Sequence, residues 1–343
     1  MERFLPALLG EIDLVAAAPW AGAVELRSVF LGGGTPSLLP ADAMARILER
    51  LRGCFGIAAG AEITAECNPE SVSRERLEGY RRAGVTRISL GVQSLDDRIL
   101  PTLDRLHTAA QARAAFEAAR AAGFPDVSVD LIYGLPGLDL STWDATVKGV
   151  LGWNPDHLSA YALTLDEGSL WHAAGVSGIP PEETTTAQYR RLTERAAEAG
   201  YEHYEVSNYA RPGHRSRHNQ VYWHAQEYLG LGPGACGYLA DVRYGNVKPV
   251  DRYVTMVAAG HFPLGTHETL TPRQQLGERL ILGLRLADGV PRAWLDERVA
   301  RDPALARHVA AWRETGILTD RGQHVALTEA GFLVSDGLFI ELV

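Results

Sequence analysis

Apolar runs of strand length alternate with amphipathic helical stretches along most of this chain, and no other feature constrains its fold as tightly. Strands are expected at 27–31, 62–67, 86–92, 127–132, 157–163 and 203–206. Between them, Met44, Ile47, Leu48 and Leu51 repeat at the spacing of one helix face. Thr108 and Gln111 form a capping box for an alanine-rich helix ended by Gly123. Ser141 with Asp144 is read as the opening of the next helix, and a further one is expected from Thr184 to Ala199. Strands joined through helices imply parallel pairing and right-handed crossovers. Nearly every strand ends in a polar or glycine-rich element. An open sheet gathers ligand contacts at one switch point, whereas a barrel gathers them from many strand ends, so a barrel is expected.

Those strand ends supply the candidate ligand groups. The turn Gly32-Gly33-Gly34-Thr35-Pro36-Ser37 removes successive Cβ atoms and lets backbone amides approach a bound group. It matches neither a Walker A loop nor Gly-x-Gly-x-x-Gly. Glu66 and Gln93 stand at later strand ends. Arg105, read as a helical arginine, offers a forked cation. Asp130 is an acid inside an apolar strand and needs a partner if buried. Amides, carboxylates, an amide side chain and a cation together suit a zwitterionic, ribose-bearing ligand.

The chain has 343 residues, and beyond Gly260 its pattern changes. Thr271-Pro-Arg-Gln274 opens a helix, two more helical stretches follow, and residues 316–328 read as a hairpin before a final helix. This suggests a small winged-helix-like domain. From residue 270 onward there are nine Arg, no Lys and ten Asp+Glu, a balance of −1, and the whole chain carries −9. A nucleic-acid partner is therefore not expected, and the domain reads as a packing or docking module. Three widely spaced cysteines at 54, 67 and 236 suggest neither a disulfide framework nor a zinc site. With no apolar run near the roughly 18 residues that span a membrane and no signal-peptide pattern, a cytoplasmic protein is expected.

Five motifs occur in an order that carries more information than any of them alone: Gly-Gly-Gly-Thr-Pro-Ser, Glu66-x-Asn68-Pro69-Glu70, Gly91-Val92-Gln93-Ser94, Asp130-Leu-Ile-Tyr-Gly-Leu-Pro-Gly137 and Tyr204-Glu-x-Ser-Asn-Tyr209. The set resembles the radical S-adenosylmethionine (SAM) proteins related to oxygen-independent coproporphyrinogen III oxidase, in particular the HemW-type heme chaperones. The resemblance spans nearly the whole chain. It implies an incomplete (β/α)6-type radical SAM partial TIM barrel over residues 1–225, a connecting segment over 226–265 and a winged-helix-like domain over 266–343. It further implies SAM contacts from Gly33, Gly34 and Thr35, with Glu66, Gln93, Arg105 and Asp130 holding its other polar groups and Thr164 on the adenosine side. The stretch His218-Asn-Gln-Val-Tyr222-Trp223 is similar to a segment linked to heme in the chaperone branch, which makes His218 a candidate iron ligand and His214 a nearby alternative.

The family holds a [4Fe–4S] cluster through Cys-x-x-x-Cys-x-x-Cys after its first strand, and this sequence has no such motif. The segment from Met1 reads as the first barrel helix, so the first strand and the cluster loop are expected upstream, through a truncated form or a misplaced start codon, with a naturally cluster-free homologue as the alternative. The functional expectation is a heme carrier that binds SAM and heme and serves heme-accepting proteins. Peripheral membrane contact during delivery and no transmembrane segment go with it. The alternative is the oxidase, which decarboxylates coproporphyrinogen III propionates. A third expectation is an interaction protein acting through its C-terminal domain.

Overall fold

The computed structural model describes residues 2–164 and 176–342. Packing divides the chain into two units, each discontinuous in sequence. One comprises Met1–Val29, Ala43–Ala61 and Arg217–Val343, the other Phe30–Asp42 and Glu62–Ser216.

The second unit is built on a curled half-barrel sheet of strand order β1-β2-β3-β4-β5-β7-β6. Strands β1 (Leu26–Leu31) and β2 (Ile57–Cys67) enter it from the first unit. Strands β3 (Arg87–Gln93), β4 (Asp126–Tyr133) and β5 (His157–Ala162) follow, and β2 through β5 pair in parallel. The last part corrects the all-parallel expectation. The stretch expected as a sixth parallel strand is β6 (Glu202–Glu205), and two residues later the chain reverses into β7 (Asn208–Ala210). Strand β7 lies between β5 and β6, antiparallel to both. The crossover therefore still delivers β6 in the direction of β5. A tight hairpin then slips its return strand into the gap, and β7 is too short to leave a clear period in the sequence.

The two faces of β2–β5 differ in chemistry. Residues such as Ile63, Ile88, Leu90, Val127, Val129 and Leu158 alternate onto one face and are buried. Helix α4 (Ala109–Ala121) and helix α6 (Glu182–Glu198) lie against that side at β3 and β4. The other face carries Glu62, Thr64, Arg87, Ser128, His157 and Ser159, which are also buried. Period-two alternation ordinarily marks a face turned to water; here the polar side is enclosed.

Local capping signals account for several helix starts. The Thr108–Gln111 capping box of α4 is present. Helix α5 (Leu140–Leu151) is capped two residues earlier than expected: Asp139, not Ser141, accepts from the Thr142 N–H at 2.7 Å, and the Ser141 hydroxyl donates to the same carboxylate. Aspartate wins because its charge also favours the positive end of the helix dipole. Fully buried Trp143 of α5 donates its indole N–H to the Gln188 carbonyl, while the Gln188 side chain bonds the Gly134 N–H and the Leu138 carbonyl. Gln188 thus fixes the glycine-rich turn that leaves β4. Arg105 lies in an extended link before α4, not on a helix.

In the first unit, helix α1 (Phe4–Ala16) brings buried Glu11 to three donors: the Gly232 N–H, Asn246 Nδ2 and the Tyr253 hydroxyl, at 2.6–2.7 Å. Helix α2 (Ala41–Phe55) buries Met44, Ile47, Leu48 and Leu51, the face the sequence marks. The C-terminal part contains helices at Pro272–Gly283, Arg292–Ala300 and Pro303–Glu314, with a small antiparallel sheet of Val290–Pro291, Leu318–Arg321 and His324–Leu327. It agrees with the winged-helix-like expectation, with one strand added to the hairpin. Among the described residues no helix is long and apolar enough to cross a membrane.

Candidate functional site

A cleft of about 720 Å³ opens at the C-terminal ends of the strands, within the size range of small-molecule sites. Gly34, Thr35, Glu66, Gln93, Arg105, Asp130 and Thr164, brought from separate loops and strands, line it. Gly33 acts one step back: its N–H bonds the Glu66 carboxylate. A Cβ on Gly32 would stand 2.9 Å from that carboxyl group and 2.6 Å from the Phe30 ring, so the turn has to be glycine where Glu66 passes it.

Several polar groups in the cleft are braced by neighbours. Arg105 Nη1 donates to Asn68 Oδ1 at 2.8 Å. Buried His107 holds the strand before that link, bonding Glu70 at 3.0 Å and the Val92 carbonyl at 3.2 Å. Gln93 ends β3 in the left-handed region at φ 64°, which turns its amide away from the strand's own line. The Ser89 hydroxyl donates to Asp130 at 2.9 Å, and Ser159 bonds the same carboxylate. Asn68, Ser89, Tyr161 and His107 were not among the candidates from sequence. Ser89 could have been found two positions before Gly91, on the same strand face. Asn68 and His107 act across 37 residues and leave no local signal.

The electrostatics favour a cation. Burial raises Glu66 to about 6, and the charge of Asp130 adds to the effect against the Gly33 N–H. Burial also raises Asp130 to about 6, opposed by Ser89, Ser159, Arg87 and Arg105. Two desolvated carboxylates sharing a cleft repel each other and gain from a positive ligand. Cys67 also lines the cleft, but burial, reinforced by Glu66, pushes its thiol up to about 12 and keeps it protonated.

His218 lies on helix α7 (Arg217–Trp223) of the first unit. Its Nδ1 pairs with Ser28 Oγ at 3.0 Å and its Nε2 with the Tyr222 hydroxyl at 2.8 Å. Burial pushes the imidazole down to about 4, so it is neutral at pH 7. Tyr222 stands edge-on to His218 and to Tyr228, with centroids 5.0 and 4.6 Å apart. Trp223 stacks under the Arg285 guanidinium, which also covers Phe339. His214 is committed to Asp126.

The Radical SAM superfamily model matches residues 10–149, and the HemN C-terminal domain model matches residues 270–334. The heme chaperone HemW of Mycobacterium tuberculosis (strain H37Rv) is 37% identical over 342 residues, covering 98% of this chain and 85% of that protein. The heme chaperone HemW of Bacillus subtilis is 30% identical over 348 residues, covering 99% and 90%. Among solved structures, the radical SAM enzyme coproporphyrinogen III oxidase (HemN) from Escherichia coli matches with a TM-score of 0.85 at 23% identity, over 99% of this chain and 82% of that one, and shares the fold. The half-barrel, the order of its strand-end motifs and these relatives agree: the chain belongs to the HemW family of radical SAM proteins.

Proposed function

We propose that this protein is a heme carrier that binds SAM in the half-barrel cleft and heme near His218, and passes heme to acceptor proteins. The observation that carries the reading is kinship along nearly the whole chain with proteins named heme chaperones. The cleft chemistry supports the SAM part. The ligand is a sulfonium and ammonium dication with one carboxylate, and the site offers Glu66 and Asp130 to its positive groups and Arg105 to its negative one. Gln93 and the backbone of Gly34 and Thr35 suit the remaining polar atoms, with Thr164 at the far wall. In radical SAM proteins generally, SAM joined to a reduced cluster supplies one-electron chemistry.

The cluster does not fit the residues present. Among the described residues no group of three or more His, Cys, Asp and Glu could hold a metal ion. Cys54 ends near the C-terminus of α2, Cys67 closes β2 and Cys236 opens a strand of the first unit. No step is assigned through an iron–sulfur centre.

For heme, a neutral imidazole is the right form of ligand. Both ring nitrogens of His218 are bonded, so iron would have to displace either Ser28 or Tyr222. In the same reading the cleft belongs to residues 1–225, residues 226–265 connect, and 266–343 dock acceptors. Cytoplasmic location, supported by three free cysteines, and transient membrane contact complete it. The oxidase alternative draws on a match at 23% identity, which speaks for fold alone.

Heme titration followed at the Soret band, with SAM binding measured in parallel by equilibrium dialysis, tests the proposal. A Soret shift in the wild-type protein that His218→Ala removes is expected. No shift in either protein would remove the carrier reading, and turnover of coproporphyrinogen III would replace it.

A further inference from the structure

Below the cleft, the polar face of β2–β5 continues to the first residues of the strands, and three buried groups along it lack a hydrogen-bond partner among the described residues. They are Thr64 Oγ1, Arg87 Nη2 and Asn208 Oδ1, on residues only 2–3% exposed. The sheet places them in a connected region. Thr64 is the ladder partner of Arg87, and Asn208 is the ladder partner of Ser159, which bonds Asp130 on the cleft floor. Polar atoms this deep are nearly always satisfied in folded proteins, because a dry, unpaired donor or acceptor loses its hydration with nothing in return.

The chemistry of the three atoms selects what satisfies them. Arg87 Nη2 needs an acceptor, Asn208 Oδ1 needs a donor, and the Thr64 hydroxyl takes either. An anion would serve Arg87 but not Asn208. It would also face Glu62 and Asp126, whose carboxylates already lie 3.6 and 4.0 Å from Arg87 Nη1. A cation would serve Asn208 but would be repelled by Arg87. Water donates and accepts.

We propose that the enclosed polar face of the half-barrel binds a file of ordered waters, running from the Asp130–Ser159 floor of the cleft down to Arg87 at the start of β3. The file is a structural part of the protein, independent of any ligand in the cleft above. It gives Thr64 Oγ1, Arg87 Nη2 and Asn208 Oδ1 the hydrogen-bond partners that the neighbouring described residues do not supply.

A crystal structure of the full chain at about 1.5 Å, together with melting temperatures of Thr64→Val, Asn208→Leu and the control Thr64→Ser, tests this. The expected result is an ordered water within hydrogen-bond distance of each of the three atoms. Thr64→Val and Asn208→Leu then melt below wild type, because each strands a water, while Thr64→Ser melts close to it. Density that is empty at all three atoms, with Thr64→Val and Asn208→Leu melting at or above wild type, would overturn the proposal. So would density for an anion on Arg87. The density decides even if a variant fails to fold.

Discussion

Asp130 and Glu66 set the character of the cleft at the level of single residues. Both are held to about 6 chiefly by burial. Their folded values lie above the ordinary carboxylate range, so the folded chain holds these protons more tightly than the unfolded chain. Their contribution to stability is therefore lost as pH rises through about 6. A cationic ligand has the opposite preference, because it gains only from the ionised pair. SAM affinity is thus expected to be full above pH 7 and to fall as pH drops through about 6, which calorimetric titrations at pH 5 and 7.5 would show. Asp130→Asn keeps the shape and removes a charge, and weakens SAM binding about ten- to a hundredfold, measurable by equilibrium dialysis. At His218 the hydrogen bonds make a finer prediction. If iron displaces the Tyr222 hydroxyl from Nε2, Tyr222→Phe removes a competitor and heme affinity rises or holds, while His218→Ala loses the Soret shift.

Among the elements, helix α5 shows how one residue's position changes a reading. Asp139 and Ser141 are both good capping types, and the Ser141-to-Asp144 spacing points to Ser141. The backbone places Asp139 at the extended position before the first turn, where its carboxylate reaches the Thr142 N–H. Asp139→Ala is expected to lower the urea denaturation midpoint, and Ser141→Ala to move it much less. The β6–β7 hairpin is the other departure. A strand of three residues, inserted between β5 and β6, is visible only once its ladder partners are known. Strands β2 to β5 and their helices were legible because each is long enough to show its period. The strand-end candidates Gly34, Thr35, Glu66, Gln93 and Asp130 were legible for the same reason. Arg105 was misread as helical, since its brace on Asn68 comes from a different strand end.

In the molecule as a whole, buried charges are held by partners far along the chain. Glu11 on α1 accepts from Gly232, Asn246 and Tyr253, more than 220 residues away. Glu11→Ala strands three buried donors and is expected to cost about 3 kcal/mol or more, seen as a fall in the denaturation midpoint. Such pairings have no signature in either local segment. Sequence by itself determined the order of strands and helices, the parallel run from β2 to β5, the strand-end motifs and the family they resemble, because these depend on period and spacing within a few residues. Tertiary structure decided which face of the sheet is enclosed. The alternation Glu62-x-Thr64-x-Glu66 and Arg87-x-Ser89-x-Gly91 reads, along the chain, like strands with one face in water. Curling the sheet turns that face inward, so its charges meet one another, gain their raised pKa values and form the floor of a binding cleft. Closure of that kind depends on contacts between strands tens of residues apart, and no single strand encodes it.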